Sequence, residues 1–267
     1  PFYEDGYKLV ETYHLGMEHQ SAIAYGNRYQ NGYLGGDASG TGWGQKWDFI
    51  VVHESGHEWF GNNITSADLA DMWIHESFTN YSEGLFIDYL YGKEASQAYA
   101  HGIRSGIRND SPVQGPYHVN KEGSGGMFPK GGVMLNMIRT MIDNDEKWRS
   151  ILRGLNSKFY HQQVDYNDIV NYVTQQSGLD LSKVFEQYVR HSSIPTLEIQ
   201  QDAAGKIMAR WISEVKGFQM PIHIGIKGKN KQLIQLDQHF RTIKIPGLNK
   251  ENIDVDTFNY YIGLLSE

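Results

Sequence analysis

Two histidines and a glutamate in one short segment are spaced to act on a single metal ion. In His53-Glu54-Ser55-Gly56-His57 the histidines lie four residues apart, so on a helix both imidazoles project from the same face. Two imidazoles placed in this way can reach one tetrahedral Zn²⁺ at about 2.0–2.1 Å. Glu54 lies one step round the helix, where it can act on the attacking water as a general base without being a ligand. The segment predicts a hydrolytic metal site.

A third protein ligand is required, and Glu76 is the candidate. Eighteen residues separate it from His57, and the segment Trp73–Phe78 around it is predicted to begin a second helix. Two histidines and one carboxylate leave one coordination position open, which is typical of catalytic rather than structural zinc. We predict one Zn²⁺ per chain, held by His53, His57 and Glu76.

Three further polar residues flank these ligands. They are Glu58, His75 and Glu83. Because charged residues on amphipathic helices usually face water, no role in the site is assigned to them.

The pattern of apolar residues changes near Ile194-Pro195. Before this point apolar residues recur every three or four positions, which is typical of helices. After it they alternate, which is typical of short strands in a small sandwich. The predicted helices cover Trp47–Phe60, Ile74–Tyr91, Val133–Ile142, Trp148–Phe159, Ile169–Val173 and Val184–Val189, and the predicted strands cover Thr196–Gln200, Ile207–Ile212, Met220–Ile226, Leu233–Leu236 and Thr242–Ile245. The residues before the first helix are predicted to form strand and loop.

Composition and charge exclude several classes of protein. The 267 residues are 40% hydrophobic and 13% aromatic, enough to bury a sizeable core, so a disordered chain is excluded. The net charge of −7 and the lack of a long basic run argue against a nucleic-acid partner. No segment approaches the ~18 apolar residues that span a bilayer. With no cysteine, the chain has no disulfide, thiolate ligand or Cys nucleophile. The sequence leaves the cellular compartment and the oligomeric state open.

The two segments around the ligands resemble the gluzincin aminopeptidases of the aminopeptidase N family, which carry HExxH, eighteen residues and then Glu. The matching runs are HESGHEWFGNNIT, at residues 53–65, and WIHESFTNYSEG, at residues 73–84. Leu15–His19 upstream, Phe128–Gly131 downstream and the stretch Leu181–Glu198 follow in the order of that family. The resemblance covers about residues 10–200.

The resemblance implies an α+β architecture of two parts. Residues 1–193 would form a thermolysin-like, mostly helical catalytic domain with a short N-terminal β region, and residues 194–267 a small β-sandwich domain. The change of pattern near Pro195 agrees with this division. An N-terminal β-domain, which the family also has, is expected in the full-length protein.

The resemblance also implies a function. A zinc metallo-aminopeptidase would remove N-terminal residues from peptides that have a free amine, with Glu54 as the base. Glu18 would bind the α-amine of the substrate, in a segment that also includes Gly16 and Met17. There the family reads Gly-x-Met-Glu-Asn, whereas this chain has Leu15 and His19 at the outer positions. These two changes bear on the shape of the first subsite more than on the amine contact, because the carboxylate is kept.

Phe128 departs from the family more sharply. The family has Tyr-x-Lys-Gly, whose phenol stabilises the developing oxyanion, and this chain has Phe128-Pro129-Lys130-Gly131. Loss of one oxyanion donor commonly lowers turnover by ~10²–10³-fold. Three explanations stay open: an engineered substitution, replacement of the hydroxyl by Tyr117 or His118, and weak catalysis. The alternative function is a catalytically silent zinc-binding module that binds peptides.

Overall fold

The computed structural model describes residues 6–266, and the outermost residues of the two predicted domains, 1–5 and 267, lie outside this range. Helices in the described part are α1 Phe49–Gly56, α2 Trp73–Tyr91, α3 Lys93–Gly102, α4 Pro129–Ile142, α5 Asp145–Lys158, α6 Tyr166–Ser177 and α7 Ser182–Arg190. Strands are β1 Leu9–Glu11, β2 Gly16–Met17, β3 Ile23–Tyr25, β4 Ile64–Ser66, β5 Gln162–Val164, β6 Thr196–Gln201, β7 Ile207–Ile212, β8 Met220–Ile226, β9 Gln232–Leu236, β10 Arg241–Thr242, β11 Ile253–Val255 and β12 Gly263–Ser266. The chain is a mixed α/β protein.

A small N-terminal sheet fixes the start of α1. Its strand order is β1-β3-β2, with β1 parallel and β2 antiparallel to the buried β3. Asp48 is the N-cap of α1 and accepts a hydrogen bond from the amide of Val51 at 3.3 Å. Its carboxylate also accepts hydrogen bonds from the Tyr25 hydroxyl and, at 2.8 Å, from Asn27 Nδ2. One carboxylate therefore joins the sheet to the helix.

The central helix α2 is buried on nearly all sides and packs closely against α4. A Cβ at Gly131 would lie 1.8 Å from Oγ and 2.4 Å from Cβ of Ser77. A Cβ at Gly132 would lie 2.0 Å from Oδ1 of Asn80. Because the two glycines have no side chain, α4 can approach the Ser77 and Asn80 side chains of α2 this closely.

The strands after α7 form two sheets. One has the order β10-β7-β6-β12, with β12 parallel to β6, and the other has the order β11-β8-β9 and is antiparallel. The segment before β12 is tied to the helices. The Tyr188 hydroxyl donates to the carbonyl of Tyr261 at 2.6 Å, and Arg104 Nη2 donates to the carbonyl of Phe258 at 2.7 Å. A single apolar core continues from the helices into these strands.

The predicted elements are mostly present, and the differences have local causes. The first helix begins at Phe49, because Asp48 caps it, and ends at Gly56. The last of the predicted strands, Thr242–Ile245, corresponds to the shorter β10, because only Arg241–Thr242 pairs with β7. The sequence predicts none of α3, β4, β5, β11 and β12. α3 buries Ala95, Ser96, Tyr99 and Ala100, and because three of these side chains are small the apolar period is weak. No helix in residues 6–266 is long and apolar enough to cross a membrane.

Replacement of Gly131 by alanine tests the α2–α4 packing. Because the added methyl group would overlap Ser77, whose hydroxyl donates to the Met127 carbonyl at 2.8 Å, we expect Gly131→Ala to lower the free energy of unfolding by about 1–3 kcal/mol. Urea denaturation measures this. Gly106→Ala is the control, since nothing lies within 4 Å of the added Cβ. Equal stability of the two variants would contradict close packing at Gly131.

Candidate metal centre

The structure brings the three predicted ligands together. His53 lies on α1, His57 follows its last residue with helical backbone angles (φ −64°, ψ −17°), and Glu76 lies in the first turn of α2. Glu76 Oε2 lies 3.4 Å from Nε2 of His53 and 3.5 Å from Nε2 of His57. One ligand atom from each residue lies within 4.8 Å of the others, and all three residues are buried. The two helices thus direct two nitrogens and one oxygen at one point.

The charge and the type of the ligand atoms in this cluster are suited to a zinc ion. Glu76 Oε2 is buried and has no hydrogen-bond partner in the part of the chain that the structure describes. Burial in this state is costly for a carboxylate oxygen unless a cation compensates its charge. Burial raises the pKa of Glu76, but the two imidazoles outweigh this and hold the pKa at about 2. The carboxylate is therefore ionised at neutral pH. Two imidazoles and one carboxylate are the ligand set of a catalytic zinc site.

Outer hydrogen bonds orient both imidazoles. His53 Nδ1 lies 2.7 Å from Glu83 Oε1, and His57 Nδ1 lies 3.0 Å from the carbonyl of Phe60. If each Nδ1 carries the proton, each Nε2 lone pair points into the cluster. Burial lowers the pKa of His53, but Glu76 and Glu83 outweigh this and raise it to about 10. The imidazole is thus surrounded by negative charge that favours a cation at this point.

Glu83 is a residue that the sequence analysis failed to place, and the expectation that it faces water is wrong. It lies on α2, is completely buried, and accepts hydrogen bonds from Tyr99 at 2.5 Å and Asn80 at 3.1 Å. His75 is also buried, with Nε2 accepting from the amide of Ser66 at 2.8 Å. Burial lowers the pKa of His75 to about 4, so it is a neutral structural residue. Glu58 is buried as well.

Glu54 lies beside the metal cluster and faces the N-terminal sheet. Carboxylate oxygens of Glu54 and Glu18 lie, with a nitrogen of His57, within 4.8 Å of one another. Burial is the main cause that raises the pKa of Glu54, and the negative charge of Glu18 adds to it. A raised pKa suits a group that must accept a proton and later release it.

The predicted segment Leu15–His19 passes directly over Glu54. A Cβ at Gly16 would lie 2.4 Å from Glu54 Oε1, so the glycine allows this close approach. The backbone carbonyl of Glu18 accepts a hydrogen bond from Asn62 Nδ2 at 3.0 Å. Successive side chains of a strand point to opposite faces, so Met17 points away from the face that carries Gly16 and Glu18, and it is 41% exposed. The segment therefore presents Glu18 to the site and leaves Met17 partly exposed to solvent.

Phe128 lies against the cluster, at the start of α4. Its ring centroid is 6.0 Å from that of His53, and its side chain is partly buried. Neither proposed substitute for the missing hydroxyl faces this ring in a described contact. The Tyr117 hydroxyl donates to Asp71 Oδ2 at 2.6 Å, and the His118 side chain is 91% exposed. Lys130, two residues further, is buried and donates to the carbonyls of His191 and Ser192 at 2.9 and 2.7 Å.

Comparison with known proteins identifies the family. The model described as "Peptidase family M1 domain" matches residues 9–188. The mouse endoplasmic reticulum aminopeptidase 1 is 26% identical over 199 residues, which are 70% of this chain and 21% of that protein. Aminopeptidase N of Lactobacillus helveticus is 25% identical over 217 residues, 73% of this chain and 25% of that protein. This chain thus spans about a quarter of the length of these relatives or less.

Solved structures of low sequence identity share the fold. Legionella pneumophila aminopeptidase A, solved in complex with aspartic acid, matches 97% of this chain and 32% of its own, with a TM-score of 0.73 and 15% identity. A mutant M1 zinc metallopeptidase of Deinococcus radiodurans, solved with a Tyr-Ser-Ala substrate, matches 70% of this chain and 40% of its own, with a TM-score of 0.56 and 19% identity. The resemblance seen in the motifs is confirmed.

Replacement of Glu83 tests whether it supports the metal ligand His53. A hydrogen-bonded carboxylate makes an imidazole a better ligand, and loss of such a partner typically costs 10–100-fold in metal affinity. We therefore expect Glu83→Gln to weaken zinc binding by about 10–100-fold, measured by competition with a chelator. Glu54→Gln is the matched control, since Glu54 is not one of the three ligands, and should bind zinc as the parent does. Equal affinity of both variants would contradict the supporting role.

Proposed function

The chain belongs to peptidase family M1, and from this membership we propose that it is a zinc-dependent aminopeptidase that removes N-terminal residues from peptides. The observation that carries the proposal is the convergence of His53, His57 and Glu76 on one point, with the carboxylates of Glu54 and Glu18 beside it. Metal ligands, a base and an anionic partner for an amine are the groups that this reaction needs.

In this proposal His53, His57 and Glu76 hold the zinc ion. Zinc, when bound, supplies a Lewis acid for the scissile carbonyl and lowers the pKa of water. Glu54 takes the proton of the attacking water and passes it to the leaving amine. Its burial supports this role, because a carboxylate with a raised pKa holds a transferred proton more readily.

Glu18 is proposed to bind the substrate's α-ammonium group. Its carboxylate lies close to Glu54 and His57, and its backbone is anchored by Asn62. An ammonium group placed there would offset the repulsion between the two carboxylates and fix the N-terminus beside the base. Gly16 and Met17 would then contribute to the first subsite, where Gly16 leaves room next to Glu54.

The two-domain division is also a proposal. Residues 1–193 would be the catalytic domain and residues 194–267 a β-sandwich domain, and the sheets that begin at Thr196 support it. An N-terminal β-domain in the full-length protein stays a prediction.

A blocked amine tests the role of Glu18. We expect fluorogenic aminoacyl amides to be hydrolysed, a zinc chelator to stop the reaction, and N-acetylated forms to be poor substrates. Because a hydrogen bond to a charged group contributes about 1.5–3 kcal/mol, Glu18→Ala should raise KM for the free amines by roughly 10–100-fold. Steady-state kinetics measure both constants.

Glu11→Ala is the control for the loss of a carboxylate, since Glu11 is exposed on the same small sheet. It should leave KM unchanged. Equal cleavage of acetylated and free peptides would show an endopeptidase or a wrong register for Leu15–His19. No chelator-sensitive hydrolysis at all, with zinc bound, would favour the peptide-binding module.

Replacement of Phe128 by tyrosine tests the missing oxyanion donor. The ring is already next to His53, so the substitution adds one oxygen with little repacking. A donor that acts only on the transition state raises kcat rather than substrate affinity. We expect Phe128→Tyr to raise kcat about 10²-fold, equivalent to roughly 3 kcal/mol, with little change in KM.

Phe49→Tyr is the matched control, because the Phe49 ring also stacks on His53, at a centroid distance of 5.2 Å. It should leave kcat unchanged. If Phe128→Tyr is no faster than the parent and Tyr117→Phe abolishes turnover, the donor is Tyr117 and Phe128 only lines the site.

A further inference from the structure

Arg190, the last residue of α7, is a cation with no anionic partner among the described residues. Its guanidinium group makes two described contacts, with Gln114 and with Tyr166, and forms no ion pair within residues 6–266. The acid one helical turn before it, Glu186, pairs instead with Lys183 Nζ at 2.7 Å. By contrast, Arg139 pairs with both Asp88 and Asp145. Neither Nη group of Arg190 has a described hydrogen-bond partner.

The orientation of this guanidinium is fixed from two sides. Its central carbon lies 3.7 Å from the centroid of the Tyr166 ring, and Nε donates to Gln114 Oε1 at 2.9 Å. Gln114 is itself held, because its Nε2 donates to Asp71 Oδ1 at 2.7 Å and its amide donates to the Val189 carbonyl at 2.9 Å. The Tyr166 ring thus covers one face of the guanidinium and Gln114 occupies Nε, which leaves the two coplanar Nη groups to donate to a ligand.

Arg190 lines a groove of about 580 Å³ formed with the loop 111–124. Two glycines allow the two ends of this loop to pack closely against each other. A Cβ at Gly123 would lie 1.8 Å from the Val113 carbonyl oxygen, and a Cβ at Gly115 would lie 2.5 Å from the Lys121 carbonyl oxygen. The Ser124 amide donates to the carbonyl of Pro112 at 3.0 Å. The groove is therefore built by packed backbone.

Charge in the groove favours an anion. Lys121 and Arg190 are the cations that line it, and Glu122 is the acid. The excess charge is positive, and the planar Nη pair of Arg190 matches the two oxygens of a carboxylate.

We propose that this groove binds a carboxylate, carried either by the C-terminus of a peptide or by an acidic side chain. The two Nη groups of Arg190 donate to the two oxygens, and Lys121 adds positive charge. The proposal concerns binding alone and stands whether or not the chain hydrolyses peptides.

Calorimetric titration with blocked peptides tests the proposal. The probes are N-acetyl-dialanine with a free C-terminal carboxylate, its C-terminal amide, and amidated N-acetyl-aspartyl-alanine, whose only carboxylate is in the side chain. Inorganic phosphate is the fourth probe. We expect one or both carboxylate peptides to bind and the amide not to bind, and the tighter of the two identifies the source of the carboxylate.

Variants of the arginine locate the binding. Arg190→Gln should lower the affinity for the carboxylate probe at least tenfold. Arg190→Lys keeps the charge but loses the planar pair of Nη groups, and it should lower this affinity as well. Arg153→Gln is the control for loss of an exposed arginine on α5 and should bind like the parent. Phosphate that binds as tightly as the carboxylates, or Arg190 variants that bind like the parent, would overturn the proposal.

Discussion

The burial of Glu76 between two imidazoles is the constraint on which the rest of the site depends. A carboxylate oxygen without a hydrogen-bond partner is tolerated inside a protein only where positive charge compensates it. His53 and His57 must therefore stay close to it, and both are held by their outer nitrogens. α1 is fixed by its cap and α2 by its packing on α4, so each ligand is carried by an element that cannot easily rotate.

Burial also separates the roles of neighbouring carboxylates. Glu76 stays ionised because two imidazoles face it, whereas Glu54 has fewer compensating contacts and its pKa is raised. The same environment thus favours a permanent anion at the ligand Glu76 and a proton-accepting group at Glu54, which follows the ligand His53 on α1. Glu83 adds a third case, since it is an acceptor for a ligand and has no access to solvent.

The parts of the site that sequence predicts are those set by local geometry. His53 and His57 share a helix face, so their spacing predicts that both imidazoles can reach one metal ion, and Glu76 completes the predicted ligand set. The family resemblance, rather than local geometry, predicts that Phe128 belongs near the cluster, and its ring lies beside His53. Glu83 could not be recognised in this way, because its partner His53 is thirty residues distant along the chain and its burial depends on tertiary packing. Arg190 could not be recognised from the sequence for the same reason, because its lack of an ion pair within residues 6–266 is a property of the folded chain.

The close approach of α2 and α4 has a consequence for motion. Because the side chains of Ser77 and Asn80 on α2 lie directly against Gly131 and Gly132 of α4, Glu76 and the segment that begins at Phe128 are carried by two tightly packed helices. Glu18 directly follows β2, a strand of two residues that pairs, among the described strands, with β3 alone. Short edge strands open at low free energy, whereas buried helices open only near global unfolding. Amide hydrogens of α4 should thus exchange slowly and those of β2 quickly. The part of the pocket around Glu18 then opens and closes, while the part around the metal ligands keeps its shape.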